Sequence, residues 1–216
     1  MKFLVEGVGT LFLVAVVVGS GIMAENLANG NNAVALLGNT IATGSILFVL
    51  IKMFGPISGA HFNPAVSLVF WVNKKLSNKD FFYYVISQII FGLAAIFIIH
   101  YIFGQEIVQV SSNIRGEIPL LISEIIATFG LIITILFVSK YESSSVATAV
   151  ALFITAGYWF TSSTSFANPA VTIARIFTDT FTGIAPESSI YFLVGQIIGA
   201  LLALKFYNLI NENRES

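Results

Sequence analysis

The tripeptide Asn-Pro-Ala occurs twice in the chain, and its residue types suit the binding of polar molecules better than the making of bonds. The six residues are Asn63, Pro64, Ala65, Asn168, Pro169 and Ala170. Asn is preferred immediately before a helix and Pro in its first turn, so each copy predicts a helix start. Helix starts carry partial positive charge, and a side-chain amide there has N–H groups to donate. Two such starts facing each other would hold a neutral polar molecule and repel cations.

The residues that precede each Asn predict two loops lined with carbonyl groups. Both stretches, 58–62 and 162–167, are rich in small residues. The residues whose carbonyls we expect to face a solute are Gly59, Ala60 and His61 in the first loop, and Thr164, Ser165 and Phe166 in the second. Glycine at position 59 allows the backbone to approach closely. We interpret His61 as a loop residue that contributes its carbonyl group rather than as a proton-transfer group.

Four polar side chains fall inside otherwise apolar segments. They are Glu6, Glu124, Gln88 and Gln196. Carboxylates are costly inside a membrane and usually functional there. Coupling to a ligand is one reading of the two Glu residues. We favour the other, in which each carboxylate accepts N–H groups of the neighbouring loop and holds its carbonyls in place, while the two Gln side chains act as buried amide struts.

Composition excludes several classes of function. The chain has no Cys, and its two His residues, at 61 and 100, have no metal-ligand spacing around them. It contains no nucleotide-binding loop. Ten Lys and Arg against eleven Asp and Glu leave no basic excess for nucleic acid. We therefore expect neither an enzyme, a metal site, a cofactor nor a nucleic-acid partner.

The elements that must position these residues are membrane helices. Of the 216 residues, 56% are hydrophobic and 10% charged, against about 25% charged in a soluble domain. Six apolar runs are near the length of about 20 residues that spans a bilayer. They lie at about 3–24, 34–54, 81–104, 119–139, 145–162 and 188–210. The sequence therefore predicts a single all-α integral membrane domain over residues 1–216.

The two halves of the chain repeat one pattern. Each has a Glu near the start of its first span, an Asn-Pro-Ala motif in the middle and a Gln in its third span. The repeats cover about 1–104 and 119–210, and three spans per repeat make the second run through the membrane inverted. The apolar segments 63–72 and 168–178 are too short to span. We expect them to be re-entrant half-helices entering from opposite faces.

Basic residues predict the orientation of the spans. With the N-terminus inside, the cytoplasmic side holds Lys2, Lys52, Lys74, Lys75, Lys79, Lys140, Lys205 and Arg214. The outer side then holds Arg115 and Arg175. This bias predicts a multi-pass protein of the plasma (inner) membrane with both termini cytoplasmic. We interpret Arg175, which follows the second motif, as a packing or rim charge rather than a filter residue.

Residues 58–66, Ser-Gly-Ala-His-Phe-Asn-Pro-Ala-Val, resemble the signature of the major intrinsic protein family. With the second motif and the paired Glu residues, the chain resembles an aquaporin along nearly all of its length. The resemblance implies a right-handed bundle of six helices and two half-helices in membrane lipid, assembled as a homotetramer with one pore per protomer. It also implies passive conduction of water and small neutral solutes.

The resemblance further implies a second constriction near the outer mouth. Counting from the two Asn residues places its four positions at Thr43, Ala156, Ser165 and Val171, with Gly157 as the neighbouring option for the second. Family members usually carry an arginine where this chain has Val171. We expect four small or weakly polar residues to leave a wide pore that admits polyols such as glycerol.

The segment that follows the second motif resembles bacterial aquaporins linked to arsenic resistance. It reads Val-Thr-Ile-Ala-Arg and then Phe-Thr-Asp-Thr-Phe. This resemblance implies a prokaryotic source and arsenite or antimonite as further solutes. A strict water channel is the alternative within the family. A coupled secondary transporter is the alternative outside it, and it would use Glu6 and Glu124 as its ionisable pair.

Overall fold

A computed structural model describes the backbone of residues 1–215 and the side chains through residue 212. Over that range the chain forms eight α-helices and one short 3-10 turn. They are α1 (Lys2–Ala28), α2 (Asn32–Ser58), α3 (Pro64–Val72), α4 (Asn78–Ile102), α5 (Ile118–Tyr141), the turn Ser143–Ser145, α6 (Val146–Phe160), α7 (Pro169–Arg175) and α8 (Pro186–Glu215). Arg214, counted above among the inner charges, lies outside the described side chains.

Six of the helices in the described range are long and apolar enough to cross a membrane. They correspond to the six predicted spans, and the predicted fold class is confirmed. Most extend past the apolar runs because polar residues cap them beyond the hydrocarbon length. The side chain of Asn31 accepts the N–H of Ala33, and that of Ser77 accepts the N–H of Asp80, at 3.1 and 3.0 Å.

The second half-helix is shorter than the sequence indicated. We expected it to continue to residue 178, but α7 ends at Arg175. The chain turns there because Ile184 donates its N–H back to the carbonyl of Arg175 at 3.2 Å. The apolar pattern continues past the break, which is why the sequence did not reveal the helix end.

Each half of the chain has the same order of elements: two long helices, a short helix and a third long helix. In the first half α1 packs on α2 and α4, and in the second α5 packs on α6 and α8. The halves interlock, because α3 also packs on α8 while α7 packs on α4. Each half-helix is thus held between long helices of both halves, with its N-terminus near the centre of the bundle.

The contact between α5 and α8 depends on two glycines. A β-carbon on Gly195 would lie 2.7 Å from the carbonyl oxygen of Leu121, and one on Gly199 would overlap the carbonyl oxygen of Ile125. These neighbours are helix backbone and cannot move aside without separating the helices. The GxxxG pair therefore sets the distance between the first and third long helices of the second half.

We predict that Gly199→Ala lowers the thermal stability of the protein in detergent. The added methyl group would press against the backbone of Ile125, and overpacking of this kind lowers the free energy of unfolding by about 1–3 kcal/mol. The matched control is Gly55→Ala in α2, where a β-carbon would meet nothing within 4 Å. The control is expected to be neutral or slightly stabilising, because Ala favours a helix over Gly by about 1 kcal/mol. Equal melting temperatures for the two variants would contradict the prediction.

Candidate functional site: a lumen between two re-entrant loops

The loops before α3 and α7 contain an unusual run of left-handed residues. Ala60 and Phe62 have φ of 51° and 46° in the first loop. Thr164, Ser165 and Ala167 have φ of 62°, 53° and 46° in the second. Left-handed residues set among right-handed ones gather successive N–H groups on one side of the backbone. The carbonyl groups are then free to face the other side, and the strain of non-glycine residues in this region must be held by neighbours.

In the first loop the N–H groups converge on the carboxylate of Glu6, which is fully buried in α1. His61 and Phe62 donate their backbone N–H groups to it at 2.9 and 2.6 Å. The hydroxyl of Ser58 donates at 2.6 Å and the side-chain amide of Gln88 at 2.9 Å. Both carboxylate oxygens are thereby occupied by fixed donors, which leaves this group with a positioning role.

The second loop repeats the arrangement around Glu124, also fully buried, in α5. Phe166 and Ala167 donate their backbone N–H groups at 2.9 and 2.8 Å. The side-chain amide of Gln196 donates at 2.6 Å, and it also reaches the hydroxyl of Thr172 on α7 at 2.8 Å. The two Glu and two Gln residues therefore anchor the loops, and the geometry favours struts over ligand coupling.

The two Asn-Pro-Ala motifs meet at the centre of the bundle and bond to each other's loop. The side-chain amide of Asn63 donates to the carbonyl of Ala167 at 2.7 Å, and that of Asn168 to the carbonyl of Phe62 at 2.8 Å. The side-chain oxygen of each Asn caps its own half-helix. An amide nitrogen carries two hydrogens, so each Asn retains one N–H for the lumen that it lines.

A cavity of about 110 Å³ runs past both Asn residues. Many of its lining side chains are apolar, among them Leu13, Val17, Leu47, Val66, Leu131, Ile135 and Val150. The lining also includes the loop residues Gly59, Ala60, His61, Phe62, Ser165 and Phe166. Thr164, predicted with them, lies instead in a depression outside the cavity, which Glu25, Asn113, Arg115, Arg175 and Asp179 also line. Among the described residues, no donor bonds to the carbonyl oxygens of 59–61 or 164–166.

The prediction that Ala156 lines the constriction is wrong. Ala156 is exposed on the far side of α6. The face of α6 that lines the cavity repeats every four residues and consists of Val146, Val150, Ile154 and Tyr158. Position 156 lies two residues from both 154 and 158, about 200° around the helix. The neighbouring option, Gly157, is buried against the second loop, where a β-carbon would lie 2.6 Å from the hydroxyl oxygen of Ser165.

Tyr158 is the lumen residue that sequence reasoning missed. Its hydroxyl lies 3.1 Å from that of Thr43 on α2, in hydrogen-bond contact. Both residues line the cavity beside Ser165 and Val171. The set is therefore not uniformly small, because it contains one large aromatic ring. The buried hydroxyl of Ser165 has no partner among the described residues and remains available to a solute.

The end of the lumen near loops 103–117 and 176–185, here called the outer end, carries two arginines. Arg175 lines both the cavity and the depression outside it, and Arg115 lines the depression. Arg175 is thus a rim residue in contact with the lumen. Burial lowers the pKa of the Arg115 guanidinium from its ordinary value, while nearby Glu124 and Tyr158 oppose the shift. A guanidinium in a protein stays protonated.

Polar contacts fix the two outer loops to each other. The buried ring of His100 bonds to the carbonyl of Ile107 at 3.0 Å and to the hydroxyl of Thr178 at 2.9 Å. The carboxylate of Asp179 accepts the N–H of Ser112 at 2.8 Å. These bonds give His100 a structural role in joining the two loops. Within the described residues, no group of three or more His, Cys, Asp or Glu side chains is placed to hold a metal ion.

We predict that Glu124→Gln destabilises the protein and reduces passage through the lumen. Gln supplies one acceptor where Glu supplies two, so an N–H of the second loop or the amide of Gln196 loses its partner. A hydrogen bond to a charged group contributes about 1.5–3 kcal/mol. Thermal unfolding in detergent measures the loss. The matched control is Glu117→Gln, an exposed residue whose side chain makes no capping bond, and equal losses in both variants would argue against the anchoring role.

Comparison with known proteins agrees with this geometry. The sequence model of the family described as "Major intrinsic protein" matches residues 1–145. The aquaglyceroporin AqpS of Rhizobium meliloti (strain 1021) is 48% identical over 199 residues, which cover 92% of this chain and 85% of that protein. A probable aquaporin of NIP type from Nicotiana alata is 31% identical over 221 residues, covering 97% and 77% of the two chains.

A solved structure shares the fold. The X-ray structure of the aquaglyceroporin from Plasmodium falciparum superimposes with a TM-score of 0.73, covering 95% of this chain and 94% of that one. Its sequence identity of 22% makes it evidence for the fold alone. The matched family model, the relative at 48% identity and the shared architecture lead to one conclusion. The chain belongs to the major intrinsic protein family, which contains the aquaporins.

Proposed function

We propose that this protein is a passive channel for water and small neutral solutes, polyols such as glycerol among them. One observation carries the proposal: the same lumen is lined by loop residues whose carbonyl groups are unbonded, by apolar side chains and by two Asn amides at its centre. A polyol has hydroxyls on one side and carbon on the other, and this lumen matches both. The name aquaglyceroporin given to the relative at 48% identity supports the same class of solute.

The centre of the lumen favours neutral solutes over cations. The N-termini of α3 and α7 both point there, and their dipoles place partial positive charge at one spot. The amides of Asn63 and Asn168 add donors, so a passing water or hydroxyl is held as an acceptor. Water molecules held in this orientation cannot pass a proton along a hydrogen-bonded chain, and metal cations meet a positive potential.

The buried carboxylates argue against a coupled transporter. Such a protein needs an ionisable group that exchanges a proton or an ion during transport. The oxygens of Glu6 and Glu124 are instead taken by backbone and amide donors of the loops. Flux that follows a solute gradient and ignores proton and sodium gradients is the behaviour expected of this geometry.

The residues of the outer constriction favour polyols over strict water selectivity. Val171 stands where the family usually has an arginine, and Gly157 lets the loop of Ser165 lie back against α6. Tyr158 is the one bulky member, and its hydroxyl is drawn to Thr43 at the wall. We propose As(OH)3 and its antimony analogue as further solutes, since they are neutral, carry three hydroxyls and are similar in size to glycerol.

The surface of the protein supports a proposal for its assembly and location. Large apolar side chains cover the outside of the spans, among them Phe12, Leu37, Phe48, Leu152 and Leu201. They suit contact with lipid and with other copies in a homotetramer. We propose a multi-pass protein of the plasma membrane with both termini cytoplasmic, because that orientation places seven lysines on the inner side.

We predict that Val171→Arg lowers glycerol and As(OH)3 permeability far more than water permeability. The arginine would fill the space that the larger solutes need, whereas water passes a narrower gap. Stopped-flow light scattering on liposomes with matched protein density measures each solute. Val171→Ala is the control, and it should conduct all three solutes. If the native protein passes water but excludes both larger solutes, the wide-pore proposal fails and a strict water channel stands.

We predict that Tyr158→Ala raises the permeability of a four-carbon polyol such as erythritol. Removing the ring widens the lumen at the position where it is the largest side chain. The companion variant Ala156→Val should leave erythritol flux unchanged, because position 156 lies on the exposed face of α6. Reduced flux in Ala156→Val, with no change in Tyr158→Ala, would restore the original assignment of position 156.

A further inference from the structure

The chain has valine rather than arginine at position 171, but it has an arginine, Arg175, one helical turn further along α7. Val171 and Arg175 are four residues apart on α7, and both line the cavity. Residues at this spacing lie on the same helix face, with a rise of about 6 Å between them. Since α7 runs from the centre of the bundle outward, Arg175 stands on the lumen side but nearer the outer end than Val171.

The guanidinium of Arg175 is held in place by its surroundings. Its Nε donates to the carbonyl of Thr182. Its central carbon lies 3.4 Å from the centroid of the Phe166 ring, in a cation–π contact. The side chain is only 4% exposed. A buried guanidinium with these contacts cannot swing away into solvent as a surface arginine does, so its charge stays at the rim.

A second guanidinium reinforces the first. The central carbon of Arg115 lies 5.1 Å from the same Phe166 ring and 5.7 Å from that of Phe192. Arg115 also donates to the carbonyl of Ser163 at 2.9 Å. Two positive groups from different segments are therefore fixed around one aromatic ring where the lumen meets the outer depression.

The carboxylates around this pair are bonded to other donors. Glu124 accepts the N–H groups of the second loop. Asp179 accepts the N–H and hydroxyl of Ser112 at 2.8 and 2.9 Å. Glu25 accepts the N–H of Phe181 at 3.2 Å. Glu25 and Asp179 share the outer depression with the two arginines, but among the described residues that line the cavity itself Arg175 is the one that carries a full charge.

We propose that Arg175, supported by Arg115, forms a cation-excluding collar that replaces the charge missing at position 171. The family's usual arginine narrows the pore and charges it at one point. In this chain the two effects are separated, because Val171 is smaller than an arginine and uncharged while Arg175 supplies the charge further out. The inference rests on the proposed function, since a charge barrier matters only for a channel that conducts neutral solutes.

The test compares cation leak with glycerol flux in the same liposomes. Native protein, Arg175→Met and Arg175→Lys are reconstituted, with proton leak read by a trapped pH dye under a potassium diffusion potential and glycerol flux by stopped flow. Arg175→Met should raise the ratio of proton leak to glycerol permeability roughly tenfold, the change that about 1.4 kcal/mol of lost barrier gives. Arg175→Lys should stay near the native ratio because it keeps the charge. Lys205→Met, which removes an exposed charge at the opposite end, should match the native protein.

The opposing results are equally definite. An unchanged ratio in Arg175→Met with glycerol flux retained would overturn the collar, as would an equal rise in the Met and Lys variants, which would assign the effect to packing. If Arg175→Met does not fold, Arg115→Met decides in its place, with a smaller rise expected. Absence of glycerol flux in a native protein that still passes water refutes the polyol part of the proposed function alone, because the proton leaks of variant and native protein are then compared relative to water permeability.

Discussion

The arrangement depends on one constraint: backbone N–H groups at membrane depth must find acceptors inside the protein. The two loops that line the lumen cannot satisfy this by forming helices, because their carbonyl groups face the solute path. Each loop instead gives its N–H groups to one buried carboxylate, Glu6 or Glu124. An ionised carboxylate is costly in this setting unless it is surrounded by donors, so loop and carboxylate stabilise each other.

The same constraint ties the two halves of the chain together. Each Asn amide donates to a carbonyl of the opposite loop, and each half-helix packs on a long helix from the other half. Neither loop has a complete set of partners without the other half of the chain. The centre of the lumen is therefore the point at which both halves are joined, which explains why polar residues lie at the middle of an apolar bundle.

Much of this was readable from residue types and spacing. The motifs at 63–65 and 168–170, the intramembrane Glu and Gln pairs and the small-residue loops all give signals that do not depend on the length of a connection. The outer constriction was harder to predict, because its residue on α6 was assigned by counting a fixed number of positions back from Asn168. Such a count gives the wrong residue when the loop between α6 and the motif differs in length between family members. The lumen-lining positions 146, 150, 154 and 158 instead follow a four-residue period along the sequence. Periodicity reports a helix face, and a linear count does not.

The role of Arg175 shows a second limit of reading positions singly. A residue four places from the expected arginine looks like a packing charge, because the sequence does not show that α7 presents positions 171 and 175 to the same lumen or that Phe166 lies beneath the guanidinium. In three dimensions the channel has two positive regions in series. Helix dipoles at the centre act as partial charges of about half a unit, while the guanidinium at the rim carries a full one. A neutral polyol interacts with either region only through hydrogen bonds. The two positive regions therefore both raise the energy of a passing cation, whereas neither charge repels a neutral solute.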